Sequence, residues 1–183
     1  MPNNYKYCND CPYKNQQHLP NKSAINSPLS LEIGNNADTL LVFQAPGMDE
    51  WHGNTISKQR TPIDSINPRS TAARIRASMQ RKGVIRANYD ITEAVQCFPG
   101  RKIPGRDKKP CKKSQTLCAQ YLEQDLRKKQ YQKIIAFGCI AYKITFDVVN
   151  KINSTPGPIR QPHPQKATHP SAWISQETLD KSY

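Results

Sequence analysis

The chain contains six cysteines, and four of them fall in two pairs that are far apart in the sequence. Cys8 and Cys11 form a C-x-x-C motif, which alone is equally compatible with a zinc site, a redox pair or a structural role. Cys97 and Cys118 lie beside a predicted strand and on the helix that follows it. Four thiolates gathered from these pairs would pin the N-terminal arm to the fold and suit either zinc or an iron–sulfur cluster.

Cys111 and Cys139 need a separate interpretation. Cys111 lies in a Lys-Pro-Cys-Lys-Lys segment and competes with Cys118 for the place of the fourth ligand. Cys139 lies in an apolar run, so we expect a small, buried and inert thiol there. The same buried hydrophobic role is the alternative for Cys97 and Cys118.

The composition indicates one domain with an anionic partner. The chain has 183 residues, with 27 Lys+Arg against 14 Asp+Glu and a formal charge of +13, a length suited to a single domain. Lysines and arginines that contact phosphates release counterions, so the excess charge favours a polyanion such as DNA.

No stretch of the sequence predicts membrane association. The longest apolar run, residues 134–142, is far shorter than the roughly 20 residues of a membrane span, and the first residues, MPNNYKYCND, form no apolar signal segment. We therefore expect a cytoplasmic protein. In that compartment cysteines are more readily explained as metal ligands or free thiols than as disulfides.

Strands and helices are predicted to alternate after a loop-rich arm at residues 1–36. Short apolar runs predict buried strands at 39–43, 89–95 and 133–137. Helical periodicity predicts helices at 70–82, 114–129 and 140–151. Four arginines give the first of these helices a basic outer face: Arg69, Arg74, Arg76 and Arg81. The alternation predicts an α/β domain over residues 1–183 with a parallel sheet covered on both faces, followed by a tail at 174–183.

Three loops are expected to meet at one edge of this sheet. Right-handed crossovers place the loops that follow parallel strands at the carboxyl edge, where such sheets bind their ligands. The loops are residues 44–51, 93–100 and 169–171. We therefore predict the functional site at this edge.

Five short motifs follow these elements in a fixed order. They are Q-A-P-G-M-D-E at 44–50, T-E-A-V-Q-C-F-P at 92–99, C-A-Q-Y-L-E-Q at 118–124, I-I-A-F-G at 134–138 and T-H-P-S at 168–171. Together they resemble the iron–sulfur branch, families four and five, of the uracil-DNA glycosylase superfamily, from Cys8 to about Trp173. The resemblance implies a three-layer α/β/α sandwich with a central, mostly parallel sheet.

The resemblance also implies a cofactor and a reaction. It assigns a structural [4Fe-4S] cluster to Cys8, Cys11, Cys97 and Cys118, because the family pattern Cys-x-x-Tyr-Leu begins at Cys118 and not at Cys111. The reaction is hydrolysis of the bond between a DNA base and its deoxyribose, which leaves an abasic site. The base must first be flipped out of the duplex into a pocket. We expect a monomeric enzyme.

The segment at 100–116, between two of these cysteines, carries seven Lys+Arg and one Asp. A solvated charged loop explains this composition as well as a DNA-binding loop does. The high total charge of the chain favours a loop that faces phosphates.

The matching motif positions imply roles for individual site residues. His169 corresponds to the histidine that hydrogen-bonds the base O2 as negative charge develops there. Asp49 and Glu50 could orient water or stabilise the sugar cation, although Trp51 replaces the second acid of the family's pair. Six residues are assigned to substrate binding: Gln44, Ala45, Ile56, Glu93, Ser171 and Trp173. Trp173 either fills the vacated base stack or packs against the fold.

Two departures from the family motifs bear on which base is excised. Glu93 replaces an asparagine that pairs with uracil, and a carboxylate suits the N4 amino group of cytosine. Residues 53–56, which end at Ile56, lack the aromatic ring that stacks on uracil, so a bulky 5-substituent gains space. We therefore predict excision of a modified cytosine, such as the hydroxymethylated or glucosylated base of phage DNA, in antiviral defence. Uracil excision in base-excision repair and a catalytically inactive iron–sulfur DNA-binding module are the alternatives.

Overall fold

The computed structural model describes residues 8–13, 31–47, 71–103, 106–170 and 175–181. In chain order its strands are β1 (Thr39–Phe43), β2 (Tyr89–Glu93), β3 (Arg101–Ile103), β4 (Arg106–Asp107), β5 (Lys133–Phe137) and β6 (Gln165–Ala167). Its helices are α1 (Thr71–Arg81), α2 (Lys112–Leu126), α3 (Cys139–Ser154) and α4 (Gln176–Asp180), with a short 3₁₀ turn at Arg86–Asn88. Within these ranges, no helix is both long enough and apolar enough to cross a membrane.

Four parallel strands form the central sheet in the order β2-β1-β5-β6. The predicted α/β class with a mostly parallel sheet is therefore confirmed. The strand order reverses between β1 and β5, because β2 lies on one side of β1 and the later strands lie on the other. In sheets of this kind the crevice at the reversal point is the usual place for a ligand.

Side chains alternate between the two faces of β1, as they do in any strand. Leu40 and Val42 belong to a buried cluster that includes residues of α2 and α3. Leu41 and Phe43 belong to a second cluster, which includes residues of α1 and Leu179 of α4. The apolar residues of β1 are therefore buried on both faces of the strand.

Most of the predicted element boundaries agree with the structure to within a few residues. The boundaries of β1 and β5 are as predicted, since each strand contains a run of four apolar residues. The second helix begins earlier than predicted because Cys111 caps it, with its sulfur accepting a hydrogen bond from the Ser114 N–H. The third helix runs on to Ser154.

Three elements depart from the sequence-based expectation. Residues 101–107, expected as part of a loop, contain an antiparallel hairpin of β3 and β4, closed by a hydrogen bond from Lys108 N–H to Gly100 O at 2.8 Å. The three-residue strand β6 was not predicted. The segment expected as a tail contains α4, whose Leu179 is fully buried.

The outer edge of β2 is covered by the end of the N-terminal arm. Glu32 and Ile91 exchange two backbone hydrogen bonds of 2.8 and 2.9 Å in an antiparallel bridge. Gly34 lies so close to the backbone of residues 87–89 that a Cβ there would stand 2.3 Å from the Ala87 carbonyl oxygen. Only glycine fits at this point, so the arm can follow the strand edge.

Asp90 is a buried charge that joins the arm to the sheet. Its carboxylate accepts hydrogen bonds from Gly34 N–H at 2.7 Å, Lys129 Nζ at 2.9 Å and Tyr131 Oη at 2.7 Å. Burial opposes ionisation, but these three donors together hold the pKa of Asp90 below its ordinary value. The charge therefore stabilises the fold wherever it is ionised.

Replacing Asp90 with asparagine is expected to lower the free energy of unfolding at pH 7 by about 3 kcal/mol, because Lys129 loses its buried partner. The pKa of Asp90 is lower in the folded protein than in the unfolded chain. The stabilisation by its carboxylate is therefore complete above the unfolded pKa, near 4, and is lost as pH falls through the folded pKa. Urea unfolding of wild type and D90N at pH 7 and pH 3 measures both effects.

Asp147→Asn is the matched control for this prediction. Asp147 pairs with Lys143 on the surface of α3, where its side chain is 58% exposed, compared with 1% for Asp90. An exposed pair of this kind contributes less than about 1 kcal/mol. Equal losses in D147N and D90N, or a D90N loss that persists undiminished at pH 3, would contradict the assignment.

Candidate functional site

The four parallel strands end at one level. Phe43 at the end of β1 is in register with Glu93 at the end of β2, and Phe137 of β5 is in register with Ala167 of β6. The rings of Phe43 and Phe137 stack with centroids 4.6 Å apart. The loops that follow all four strands therefore start from the same edge.

The loops after β1 and β2 are hydrogen-bonded to each other beyond the sheet. Ala94 N–H donates to Phe43 O at 2.7 Å, and Val95 N–H donates to Gln44 O at 3.1 Å. These bonds bring Gln44 and Ala45 beside the end of β2. The predicted substrate-binding residues Gln44, Ala45 and Glu93 are thus neighbouring parts of one edge.

His169 lies two residues beyond β6 and contacts Gly138 at the end of β5. Gly138 N–H donates to Ala167 O at 2.8 Å, which joins the two strand ends. A Cβ on Gly138 would lie 3.4 Å from the Cβ and 3.6 Å from the Cδ2 of His169, and the φ of Gly138 is +87°. The positive φ favours glycine at this position, and the distances place the imidazole within van der Waals reach of the start of α3.

Burial lowers the pKa of His169 to about 4. The imidazole is therefore neutral at pH 7, with one N–H donor and one acceptor nitrogen. A neutral donor fixed at a sheet edge can stabilise negative charge on a carbonyl oxygen without first taking up a proton. The sequence predicted that His169 lies at the sheet edge but not that it contacts Gly138. The one signal in the sequence that could have suggested this contact is a glycine between a strand and a helix.

Glu93 occupies the opposite end of the same edge. It is the last residue of β2, and its Oε2 atom is buried. Strands in a sheet lie about 4.8 Å apart, so three spacings separate β2 from β6 by about 14 Å. A pyrimidine base lying between the two strand ends could be contacted by His169 from one side and by Glu93 from the other.

Several predicted site residues lie outside the described ranges. These are the acids Asp49 and Glu50, the pocket residue Ile56, and Ser171 and Trp173 next to the His169 motif. Arg69 of the expected basic face also lies outside them. Their roles stay predictions from the motif positions.

The C-x-x-C motif forms a buried turn against α2. Cys11 N–H donates to Cys8 O at 3.0 Å, and both cysteines form a small cluster with Tyr121. The sulfur of Cys8 is 3.4 Å from the hydroxyl oxygen of Tyr121. The turn is thus fixed to α2, the helix that also carries Cys118.

Cys97 and Cys118 are buried close to this turn. Burial, followed by the charges of the thiolates of Cys118, Cys11 and Cys8, raises the pKa of Cys97 strongly. Burial and the thiolates of Cys11 and Cys8 also raise the pKa of Cys118 to about 12. The four cysteines assigned as ligands by sequence are therefore near enough to one another for their charges to interact.

Cys111 differs from these four because it is exposed at the start of α2. Burial slightly opposes ionisation, but hydrogen bonds with Ser114 and Tyr13 lower the pKa of Cys111 below its usual value. Its N–H donates to Tyr13 Oη at 2.8 Å. Cys111 thus lies at the surface beside the buried thiols.

The four buried cysteines fit an iron–sulfur cluster in number, ligand type and burial. Thiolates gathered in a low-dielectric site repel one another, and a cationic metal centre removes that repulsion. Among the residues that the structure describes, no group of three or more His, Cys, Asp or Glu side chains is arranged to hold a metal ion as it stands. The side chains would therefore have to rotate or shift to bind one.

Cys139 corrects one expectation from the sequence. It is exposed and not buried, because it is the first residue of α3 and follows Gly138 at the sheet edge. An apolar sequence run does not reveal that a strand ends and a helix begins inside it.

The hairpin and the start of α2 form a basic surface. Six of its cationic side chains have described positions and are exposed: Arg101, Lys102, Lys108, Lys109, Lys112 and Lys113. Arg101 pairs with Asp107 at 3.2 Å, and the basic residues outnumber this acid. In the chain, this surface follows the buried loop 94–100, which begins at the site edge after β2.

No protein-family model matches this sequence, and no curated protein matches it either. The fold and the site geometry therefore carry the functional argument. They define an α/β domain with a neutral histidine and an acid at one sheet edge, four buried thiols and a basic hairpin.

Proposed function

We propose that this protein is a DNA glycosylase of the uracil-DNA glycosylase superfamily that excises a modified cytosine. The observation that carries the proposal is the neutral His169, held against Gly138 at the common edge of four parallel strands. Glu93 at the far end of the edge is spaced for a base between the two groups. The proposed setting is cytoplasmic defence against phage DNA with modified cytosines.

The three-layer α/β/α arrangement is part of the proposal. Its support is the division of the core into two clusters, one with residues of α2 and α3 and one with residues of α1 and α4. Alternate residues of β1 belong to different clusters. Helices on both faces of a parallel sheet are the expected way to bury such strands.

In the proposed mechanism, the base leaves as its bond to deoxyribose breaks and negative charge develops on its O2 oxygen. The N–H of His169 donates a hydrogen bond to that oxygen and stabilises the departing base. The carboxylate of Glu93 accepts a hydrogen bond from the N4 amino group, which orients cytosine and repels the O4 carbonyl of uracil. Asp49 or Glu50 is proposed to position the attacking water.

We propose that Cys8, Cys11, Cys97 and Cys118 hold a structural [4Fe-4S] cluster. When bound, the cluster would cross-link the N-terminal turn to α2 and to the loop after β2. Its support is the burial of the four thiols and the interaction of their charges. A thiolate cluster is also a structural support for the basic hairpin, which lies between Cys97 and Cys118 in the chain.

DNA is the proposed partner, and the basic hairpin is its proposed contact surface. Exposed lysines and arginines bind phosphates with a strong dependence on salt concentration, because counterions are released. A two-stranded ribbon is also narrow enough to enter the major groove.

The experiment that tests the proposal is an assay for abasic sites on matched duplexes and single strands. Each strand carries one uracil, cytosine, hydroxymethylcytosine or glucosylated cytosine at the same position. Release of a modified cytosine supports the proposal, and release of uracil alone supports base-excision repair instead. Binding of DNA without release of any base supports an inactive DNA-binding module.

Replacing Glu93 with asparagine is expected to lower release of modified cytosine by about 10- to 100-fold, because the charged acceptor for the N4 amino group is lost. An asparagine amide offers both a donor and an acceptor, so release of uracil is expected to rise. The ratio of the two rates in single-turnover assays is the measurement.

Glu177→Gln is the matched control for Glu93. Glu177 lies on α4, and its side chain is 75% exposed in a pair with Lys181. The control removes the same charge away from the sheet edge and is expected to keep the wild-type ratio. An unchanged ratio in E93N would contradict the assigned role of Glu93.

A further inference from the structure

Helix α1 holds the C-terminal segment at two points. Near the middle of the helix, Arg74 Nη1 donates a hydrogen bond to the carbonyl oxygen of Pro170. One turn further on, Ser78 donates to Asp180, and Arg81 donates to both carboxylate oxygens of Asp180 at 2.9 Å. The segment that follows β6 is therefore tied to α1 by side chains and not only by the chain itself.

The contact of Arg74 differs from the role that its sequence suggests. Its place in an arginine-rich helix predicts a basic outer face, yet the residue is only partly exposed. Burial lowers the pKa of its guanidinium, which still remains charged at neutral pH. A hydrogen bond from a charged donor is stronger than a neutral one, so the contact with Pro170 is a firm anchor.

This anchor acts on the residue next to His169. Pro170 has a fixed φ and no N–H, so its carbonyl is the group through which the backbone at this position can be held. On the other side, the imidazole rests against Gly138. His169 is thus held between the backbone at the start of α3 and a turn that α1 fixes.

We propose that Arg74 is a positioning residue for His169, acting through the carbonyl of Pro170. The expected effect of Arg74 on catalysis rests on the proposed function. The effect of Arg74 on the position of His169 is independent of the reaction. A displacement of about 1 Å in a catalytic group can cost about 100-fold in rate, so such an anchor has a measurable consequence.

Arg74→Met tests the proposal because methionine keeps an apolar stem and removes every donor. The single-turnover rate of base release is expected to fall by about 10- to 100-fold, whereas the Kd for the same duplex changes by less than about 3-fold. Arg74→Lys retains one charged donor and is expected to regain most of the rate. Arg127→Met is the charge-matched control, since Arg127 lies just after α2, where it pairs with Glu123 at 2.9 Å.

A second readout follows His169 directly. The imidazole of wild type is expected to titrate near the value of about 4 that burial gives it. In R74M the turn at Pro170 loses its anchor and exposes the imidazole of His169. The midpoint of the NMR titration of His169 is therefore expected to move toward 6.5. Arg74→Leu, which likewise removes every donor, carries the same measurements if R74M does not fold.

Two results would overturn the proposal. One is an unchanged titration midpoint and rate in R74M or, if that variant does not fold, in R74L. The other is a loss of DNA affinity with a smaller salt dependence, which would make Arg74 a phosphate contact. If wild type releases no base at all, the proposed function fails, and the titration alone still decides the position of His169.

Discussion

Replacing His169 with alanine is expected to lower the rate of base release by about 100- to 1,000-fold, with little change in DNA affinity. Loss of one hydrogen-bond donor to a developing oxyanion costs this much in other enzymes. The donor matters mostly in the transition state, because the O2 of the bound base carries little charge. The measurement is the single-turnover rate with saturating enzyme, beside the Kd for the same DNA.

The pH dependence sharpens this prediction. Because burial holds the pKa of His169 near 4, the imidazole is neutral through the range from pH 6 to pH 8. His169 should therefore add no step to the rate profile in that range. A histidine that acted as a cation with an ordinary pKa would instead make the rate fall as pH rises through about 6.5, because the ring would lose its proton there.

His163→Ala is the matched control for H169A. His163 is an exposed histidine shortly before β6, where its ring stacks on Phe146 at a centroid distance of 5.6 Å. The control should retain the wild-type rate. Equal losses in both variants, or none in H169A, would remove His169 from the mechanism.

Replacing Cys118 with serine is expected to abolish metal binding and to lower Tm by about 10 °C. Serine is a poor ligand for iron, and the remaining thiols cannot complete the site. Since the proposed ligands come from distant parts of the chain, loss of the proposed metal would be a loss of folding free energy. A loss of about 3 kcal/mol corresponds to this shift in Tm for a chain of this size.

The measurement combines metal content with thermal unfolding of protein purified without oxygen. Wild type should be brown and contain iron and sulfide, whereas C118S should be colourless. Cys111→Ser and Cys139→Ser remove the two exposed thiols and should keep both metal and Tm. Loss of iron in C111S with retention in C118S would make Cys111 the fourth ligand, and a colourless zinc protein would refute the iron–sulfur assignment.

The sequence predicts the elements that have a strong apolar pattern. β1 and β5 are recognised at their boundaries because a run of four apolar residues after a polar one is typical of a buried strand. β6, with the sequence Gln-Lys-Ala, has no such pattern and exists as a strand because it pairs with β5. Four of the five residues of β3 and β4 are charged, so their pairing is also invisible in the sequence.

The site is predictable to the level of the sheet edge. Parallel strands fix where their loops begin, and this places His169, Glu93 and Gln44 on one edge. The sequence does not show that His169 rests on Gly138 or that Arg74 holds Pro170. Both contacts join residues more than 30 positions apart, and neither residue type is unusual where it stands.

The arm that crosses β2 has a consequence for the behaviour of this chain at high concentration. An open strand edge is a template on which a second molecule can add its own strand, and this is a common start of aggregation. On one side of the sheet, the bridge between Glu32 and Ile91 occupies part of that template. On the other side, β6 is only three residues long and follows Pro162 and Pro164. In the part of the chain that the structure describes, the two borders of the sheet are thus poor sites for intermolecular β-pairing.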